Sequence, residues 1–346
     1  MSVAFIFPGQ GSQSPGMLHH LLNHPAVVLT LDEVSDELHS DVRALDTEHS
    51  LEFTVPVQIA LLAAGVATAR ALMEQDVKPV AVSGLSVGAF AAAVTAGVLS
   101  LRDAVELVRL RAEQMSKLYP KGYGLSAIVG LNEFQVMKIV QAVTSIHDPV
   151  FVGNINAPRQ IVIAGSDAGM DRVLDEALRQ GASKAVRLHV SVPSHCPLLQ
   201  PVADLLRKRV ASMNLRTPQM TYVGNVNARA IRTKEGVARD LVDNIAHGVR
   251  WHDATTVLKE LGCNLFLEMP PGHILSDLAE ENLPGITSVP VETSVLPRVL
   301  RLAHQEEAST LEPARNCSMP WRDDDQTRFW QLSLHRVFPW RRYYDD

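Results

Sequence analysis

The stretch "AVSGLSVGAF", residues 81–90, decides how this chain is read, because it sets Ser86 between Gly84 and Gly88 in the pattern G-x-S-x-G. Upstream, "VKPVAV" reads as a short buried strand; downstream, "VGAFAAAVTAGVL" reads as a helix of small residues. A strand, a sharp glycine turn and a helix together push a serine hydroxyl out of a sheet edge. They leave it over the free N–H groups of a helix N-terminus. The same pattern also serves as a tight packing turn in which the serine caps the helix. Residues 79–101 carry no charge, but Pro79, Gly84 and Gly88 interrupt the run. The run is therefore strand and helix, and no membrane span is expected.

Outward from this turn the chain alternates strands and helices. "VAFIFPGQGSQSPGM" opens with a strand and breaks into a Gly/Pro loop. Helices are predicted over 24–37 and 55–75, the second apolar nearly all round and so buried. Another covers "SLRDAVELVRLRAEQMSKLY", with Ser100 and Asp103 as capping residues. The rhythm changes after residue 124. "LSAIVGL", "PVFVGNIN", "RQIVIAG" and "KAVRLHV" read as strands, with helices over "NEFQVMKIVQAV" and "SDAGMDRVLDEALRQ". The order βαββαβ is that of a ferredoxin-like module set into a larger α/β unit. The chain then returns with a helix over 197–212, a strand at "MTYVGN", helices over 234–246 and 251–261, and a strand at "NLFLEM". The expected organisation is a discontinuous core of residues 1–123 and 191–305, a ferredoxin-like module at 124–190, and an extension at 306–346. The last 35 residues hold seven of the chain's 18 aromatics and six arginines without a lysine, which sets them apart from the core.

Composition excludes several classes. The 346 residues are 46% apolar, enough for a sizeable core. Net charge is −6 with both signs mixed along the chain, which argues against nucleic acid as the main partner. Cys196, Cys263 and Cys317 are far apart and form neither a metal-binding spacing nor a disulfide framework. The start, "MSVAFIFPGQG", lacks the basic n-region of a secretory signal. A cytoplasmic location is expected.

A serine hydroxyl is a weak nucleophile and needs a base. Of thirteen histidines, His19, His20, His24, His39, His49 and His147 lie in polar or helical settings. His195 differs, for in "HVSVPSHCPLL" it sits where a strand ends before a helix, the edge at which α/β sites form. It also suits a helix-capping turn. Gln10, in the loop "FPGQGSQ" after the first strand, can reach that edge and donate an amide N–H. Arg111 lies in the helix after the Ser86 unit, where it is either a solvated helix residue or a bidentate clamp for a carboxylate.

"FPGQGSQ", "GLSVGAF", "RAEQM", "NINAPRQIVIAG" and "SVPSHC" occur in the order and spacing of malonyl-CoA:acyl-carrier-protein transacylases, and "EMPPGHIL" resembles that family's E-x-G-P-G-x-x-L segment. The resemblance covers about residues 1–280. It implies an α/β-hydrolase-like acyltransferase core with a ferredoxin-like insertion. It also implies that Ser86 is the acyl-accepting nucleophile and His195 its base. Gln10 and the Val87 N–H would line the oxyanion hole, and Arg111 would grip the malonyl carboxylate. Asn244, in "DNIAHGVRWHD", matches a position whose backbone carbonyl orients the histidine. No metal or permanently bound cofactor is implied. The substrate would be malonyl-CoA, and the partner an acyl-carrier protein with a phosphopantetheine-type arm.

One departure bears on the acceptor. Members that serve fatty-acid synthesis carry G-H-S-x-G-E, whereas Leu85 and Ala89 stand here. "GLSVGAF" with "AAAVTAGVL", "YPKGYG" and "VRWHD" resembles the epsilon subunit of malonate decarboxylase, which loads malonyl onto a small carrier subunit. The expectation is therefore a malonyltransferase serving malonate decarboxylase, with fatty-acid or polyketide synthesis as the alternative. An esterase would need an acidic partner for His195 and no Arg111. A non-catalytic, carrier-binding scaffold subunit would need no Ser86.

Overall fold

The computed structural model describes residues 2–311. Cys317 and the aromatic segment at 312–346, with the helix expected around "RFWQLSLHRVF", lie outside the described residues.

The first half of the fold runs β1 (Ser2–Phe7), α1 (Pro25–Leu38), α2 (Thr54–Glu74), β2 (Ala81–Gly84), α3 (Gly88–Thr95) and α4 (Leu101–Leu118). An inserted unit follows, with β3 (Tyr123–Val129), α5 (Glu133–Val143), β4 (Val150–Ala157), β5 (Gln160–Ser166), α6 (Asp167–Arg179) and β6 (Lys184–Arg187). The chain returns with α7 (Gln200–Val210), β7 (Thr221–Val223), β8 (Ala230–Ile231), α8 (Lys234–Asp243), α9 (Trp251–Glu260) and β9 (Cys263–Glu268). It continues with α10 (Ile274–Asn282), β10 (Thr287–Pro290) and α11 (Leu296–Leu311).

The main sheet has the order β10-β9-β1-β2-β7-β8. Every pairing in it is parallel except β7 with β8. A parallel sheet carries helices on both faces, so its inner strands are apolar at successive residues and not merely at alternate ones. β1 shows this directly. Val3, Phe5 and Phe7 enter the core shared with α2, α3 and α4, while Ala4 and Ile6 enter the smaller core with Trp251 of α9 and Leu275 of α10. α2 is long and apolar enough to cross a membrane by length and composition, yet it is the central core helix, packed on α1, α3 and α4. Ser100 caps α4 by accepting the Asp103 N–H at 3.0 Å.

The inserted unit forms an antiparallel sheet of order β4-β5-β3-β6, with α5 and α6 sharing a separate apolar cluster over it. It is tied to the main unit through Val249, whose N–H donates to Gly153 O at 2.8 Å and whose carbonyl accepts from Ile155 N at 2.8 Å.

Three details differ from the expected elements. β6 stops at Arg187 although the apolar pattern runs to Val190. Leu188 N–H makes one more rung to Leu125 O, and the segment beyond it is irregular up to His195. β8, α10, β10 and α11 were not anticipated, and α11 runs through residue 306, where the extension was expected to begin. Finally, the helices over 197–212 and 234–246 are shorter than expected, at Gln200–Val210 and Lys234–Asp243.

Candidate active site

The chain crosses from β2 to α3 in three residues, Leu85, Ser86 and Val87. So tight a crossing forces backbone against backbone. A Cβ on Gly84 would lie 2.1 Å from the Gly88 carbonyl carbon, and one on Gly88 would lie 2.3 Å from Phe7 O. Both positions therefore exclude any side chain. Ser86 takes a left-handed conformation, φ 56°. A non-glycine residue held there stores about 1–3 kcal/mol of strain. Neighbouring bonds hold it in place: Ser86 N–H donates to Asn225 Oδ1 at 2.9 Å, Leu85 N–H to Phe7 O at 2.9 Å, and Gly88 N–H to Leu85 O at 2.9 Å. Val87 precedes the first turn of α3, and its N–H has no partner among the described residues.

His195 lies in the irregular segment after β6, is 2% exposed, and is also left-handed at φ 65°. Its backbone N–H donates to Ile245 O at 2.8 Å. Nδ1 lies 2.5 Å from the Asn244 carbonyl, which can only accept, so Nδ1 carries the proton. Nε2 is then the free acceptor, 2.8 Å from Ser86 Oγ. Burial and the positive charge of Arg111 push the imidazole down to about 3, against the opposing pull of the Asn244 carbonyl. The ring is thus neutral at physiological pH, the form a general base requires.

Arg111 projects from α4 and is fully buried. Nη2 donates to Ser86 Oγ at 3.0 Å, Nη1 donates to Gln58 Oε1 at 2.5 Å, and Nε has no partner. Among the described residues no carboxylate pairs with it. Burial lowers its pKa to about 9, which leaves the guanidinium charged at neutral pH. Gln10 accepts from Gln58 Nε2 at 3.5 Å, and its own amide N–H groups are unengaged among the described residues.

Gln10, Ser86, Arg111 and His195 line one cavity, together with Gln58 and Met115 of the main unit and Leu125 and Asn154 of the inserted unit. The Val87 N–H follows Ser86 in the turn, and the Asn244 carbonyl lies behind the His195 ring. The other histidines weighed above are elsewhere: His19, His20, His39, His49 and His147 are exposed, and His24 caps α1. Two residues at the site escaped the sequence reading. Gln58 could have been noticed as the one amide in the largely apolar α2. Asn225 ends the "MTYVGN" segment, and nothing local marks it. The arrangement offers a hydroxyl, a neutral base with its proton on the far nitrogen, two N–H donors and an unpaired cation. These are the parts for acyl transfer through a serine ester on a substrate that carries an anionic end.

Residues 4–311 match the family described as "Acyl transferase domain". Malonyl CoA-acyl carrier protein transacylase of Salmonella typhimurium is 36% identical over 293 residues, covering 82% of this chain and 94% of that protein. The Bacillus subtilis protein of the same name is 32% identical over 284 residues, covering 81% and 90%. Among solved structures, an acyl-carrier-protein S-malonyltransferase from Burkholderia pseudomallei superposes with a TM-score of 0.81 at 34% identity, covering 87% of this chain and all of that one. A malonyl-transacylase solved in complex with a type II PKS acyl-carrier protein superposes with a TM-score of 0.82 at 34% identity, covering 88% and 99%.

Proposed function

The chain belongs to the malonyl-CoA:acyl-carrier-protein transacylase family within the acyl transferase domains, and on that premise we propose that it moves malonyl from malonyl-CoA to a carrier thiol through a malonyl-Ser86 ester. The enzyme is an acyltransferase. His195 Nε2 takes the Ser86 proton as Oγ attacks the thioester carbonyl. The Val87 N–H and the Gln10 amide receive the developing oxyanion. As the tetrahedral species collapses, the C–S bond breaks and the CoA thiolate takes the proton from His195. The second half mirrors the first: the carrier's phosphopantetheine thiol gives its proton to His195 and attacks the Ser86 ester, and Oγ leaves with that proton.

The observation that carries this reading is Arg111. A buried guanidinium without a carboxylate is a costly arrangement unless an anion arrives to share it. Its 3.0 Å contact sets the cation beside Ser86 Oγ, which supports its pairing with the free carboxylate of a malonyl ester. The Asn244 carbonyl, in place of an acidic triad member, supports transfer over the esterase reading.

For the acceptor, the relatives' names favour an acyl-carrier protein, in one complex that of a type II PKS, and so the fatty-acid or polyketide alternative. One observation favours a malonate decarboxylase carrier instead: Leu85 and Ala89 replace the His and Glu of G-H-S-x-G-E.

The test is intact-protein mass spectrometry after incubation with malonyl-CoA, followed by transfer to each carrier type. A malonyl adduct on Ser86 that discharges onto an acyl-carrier protein is expected. No adduct, or one on another residue, would sink the mechanism. Discharge onto a decarboxylase carrier alone would select the second acceptor.

A further inference from the structure

We infer that Asn225 is the positioning residue of the nucleophile turn, with α8 setting the spacing between Ser86 and His195. The inference rests on Ser86 being the acylated residue. The Asn225 side chain bridges the turn from both sides: Oδ1 accepts the Ser86 N–H at 2.9 Å, and Nδ2 donates to Gly84 O at 2.9 Å. An amide offers an acceptor and a donor side by side without charge at any pH, which suits this task. By engaging the Ser86 N–H it also leaves the Val87 N–H as the backbone donor at the turn.

Asn225 is itself held. Its N–H and that of Val226 donate to Asp240 Oδ1 at 2.8 and 3.1 Å, and the Tyr222 hydroxyl donates to Asp240 Oδ2 at 2.8 Å. Asn225, Asp240 and Tyr222 are all buried, and no cation pairs with the carboxylate among the described residues. Asp240 belongs to α8, whose end carries the other half of the device. One turn later, Asn244 donates its N–H to Asp240 O at 2.9 Å and turns its own carbonyl to His195 Nδ1, while Ile245 O takes the His195 N–H. The serine and its base, far apart in the chain, are thus hung from one short helix: Ser86 through Asn225 and Asp240, His195 through Asn244 and Ile245.

The experiment measures single-turnover malonylation of Ser86 by quenched-flow mass spectrometry, with malonyl-CoA affinity measured separately in the Ser86→Ala background. Asn225→Ala removes both bonds, and Asn225→Asp keeps the acceptor but loses the donor. Each is expected to slow acylation by about 10²-fold while changing the malonyl-CoA Kd less than about twofold, because the displacement affects the reacting atoms and not the binding groups. Tyr222→Phe, which loosens Asp240 without touching the turn, is expected to give a smaller loss of the same kind and decides the matter if the Asn225 variants do not fold. Wild-type acylation rates in the folded variants, or a loss expressed wholly in Kd, would overturn the inference. Wild-type enzyme labelled at a residue other than Ser86 would instead overturn the function on which it rests.

Discussion

Arg111 Nη2 donates a hydrogen bond to Ser86 Oγ at 3.0 Å, and the guanidinium that makes it has no carboxylate partner among the described residues. The contact links acyl selectivity to the nucleophile itself. Arg111→Ala leaves a malonyl carboxylate without a cationic partner in a cavity lined by neutral groups. Losing that charge-assisted contact is expected to cost about 3 kcal/mol or more in the reaction with malonyl-CoA. Acetyl-CoA has no carboxylate, so its slow reaction is expected to hold or improve. The ratio of the two transfer rates in wild type and variant is the measurement; an unchanged ratio would remove Arg111 from the substrate.

The nucleophile and base separate cleanly by substitution. Ser86→Ala removes only a hydroxyl from a turn that Asn225 and the two glycines hold, so it is expected to fold and to lose malonylation entirely. His195→Ala is expected to slow acylation by about 10²–10⁴-fold. Robust malonyl labelling of the Ser86→Ala protein at another serine would contradict the assignment.

Protonation of His195 makes a stability prediction. Its pKa is held at about 3 in the folded protein, against 6.5 in an unperturbed imidazole. Below pH 6.5 the unfolded chain takes up a proton that the folded one refuses. Stability from this group is therefore complete above 6.5 and is lost as pH falls towards 3. By pH 4.5 the loss is about 2–3 kcal/mol, at about 1.4 kcal/mol per pH unit. His195→Gln is expected to lack this component when urea unfolding at pH 7.5 and 4.5 is compared. Burial pushes Glu268 up to about 7, which acts in the opposite direction, but both proteins share it and it cancels in the comparison. Equal slopes would show that His195 is protonated far above 3.

The turn's glycines are predicted to be irreplaceable for reasons of space. Gly84→Ala would drive a methyl into the Gly88 backbone at 2.1 Å, where nothing can rotate away. The expected cost exceeds about 4 kcal/mol, the range of the most damaging core substitutions. Chemical denaturation, or failure to obtain soluble protein, reads it. A variant as stable as wild type would mean that the turn can open.

Truncation after residue 311 is expected to leave Ser86 acylation intact, since every site residue lies within 2–311. Assaying the half-reactions separately checks this. Loss of acylation in a folded truncated protein would show that the last 35 residues support the site.

The sequence by itself determined what is local. The run from Ala81 to Phe90 could only be a strand, a glycine-pinned turn and a helix, because apolar strand residues, Gly84 and Gly88 at a close approach, and small helix formers act over a few residues. The all-round apolar pattern of α2 likewise marked it as buried, whereas His195, expected where a strand ends, lies eight residues beyond the end of β6. Tertiary structure alone decided the rest. Whether Arg111 was a solvated helix residue or a buried cation depended on α2 packing against α4, which its own segment does not encode. The group that orients His195 is a backbone carbonyl, which every residue possesses, so no side-chain signal marks Asn244 for that role. Asn225 reaches Ser86 only because β7 pairs with β2 in the sheet. Propensity and periodicity speak for neighbours in the chain. The approach of residues far apart is set by how strands pair and helices cover them, and the polar groups that meet there take their roles from that geometry.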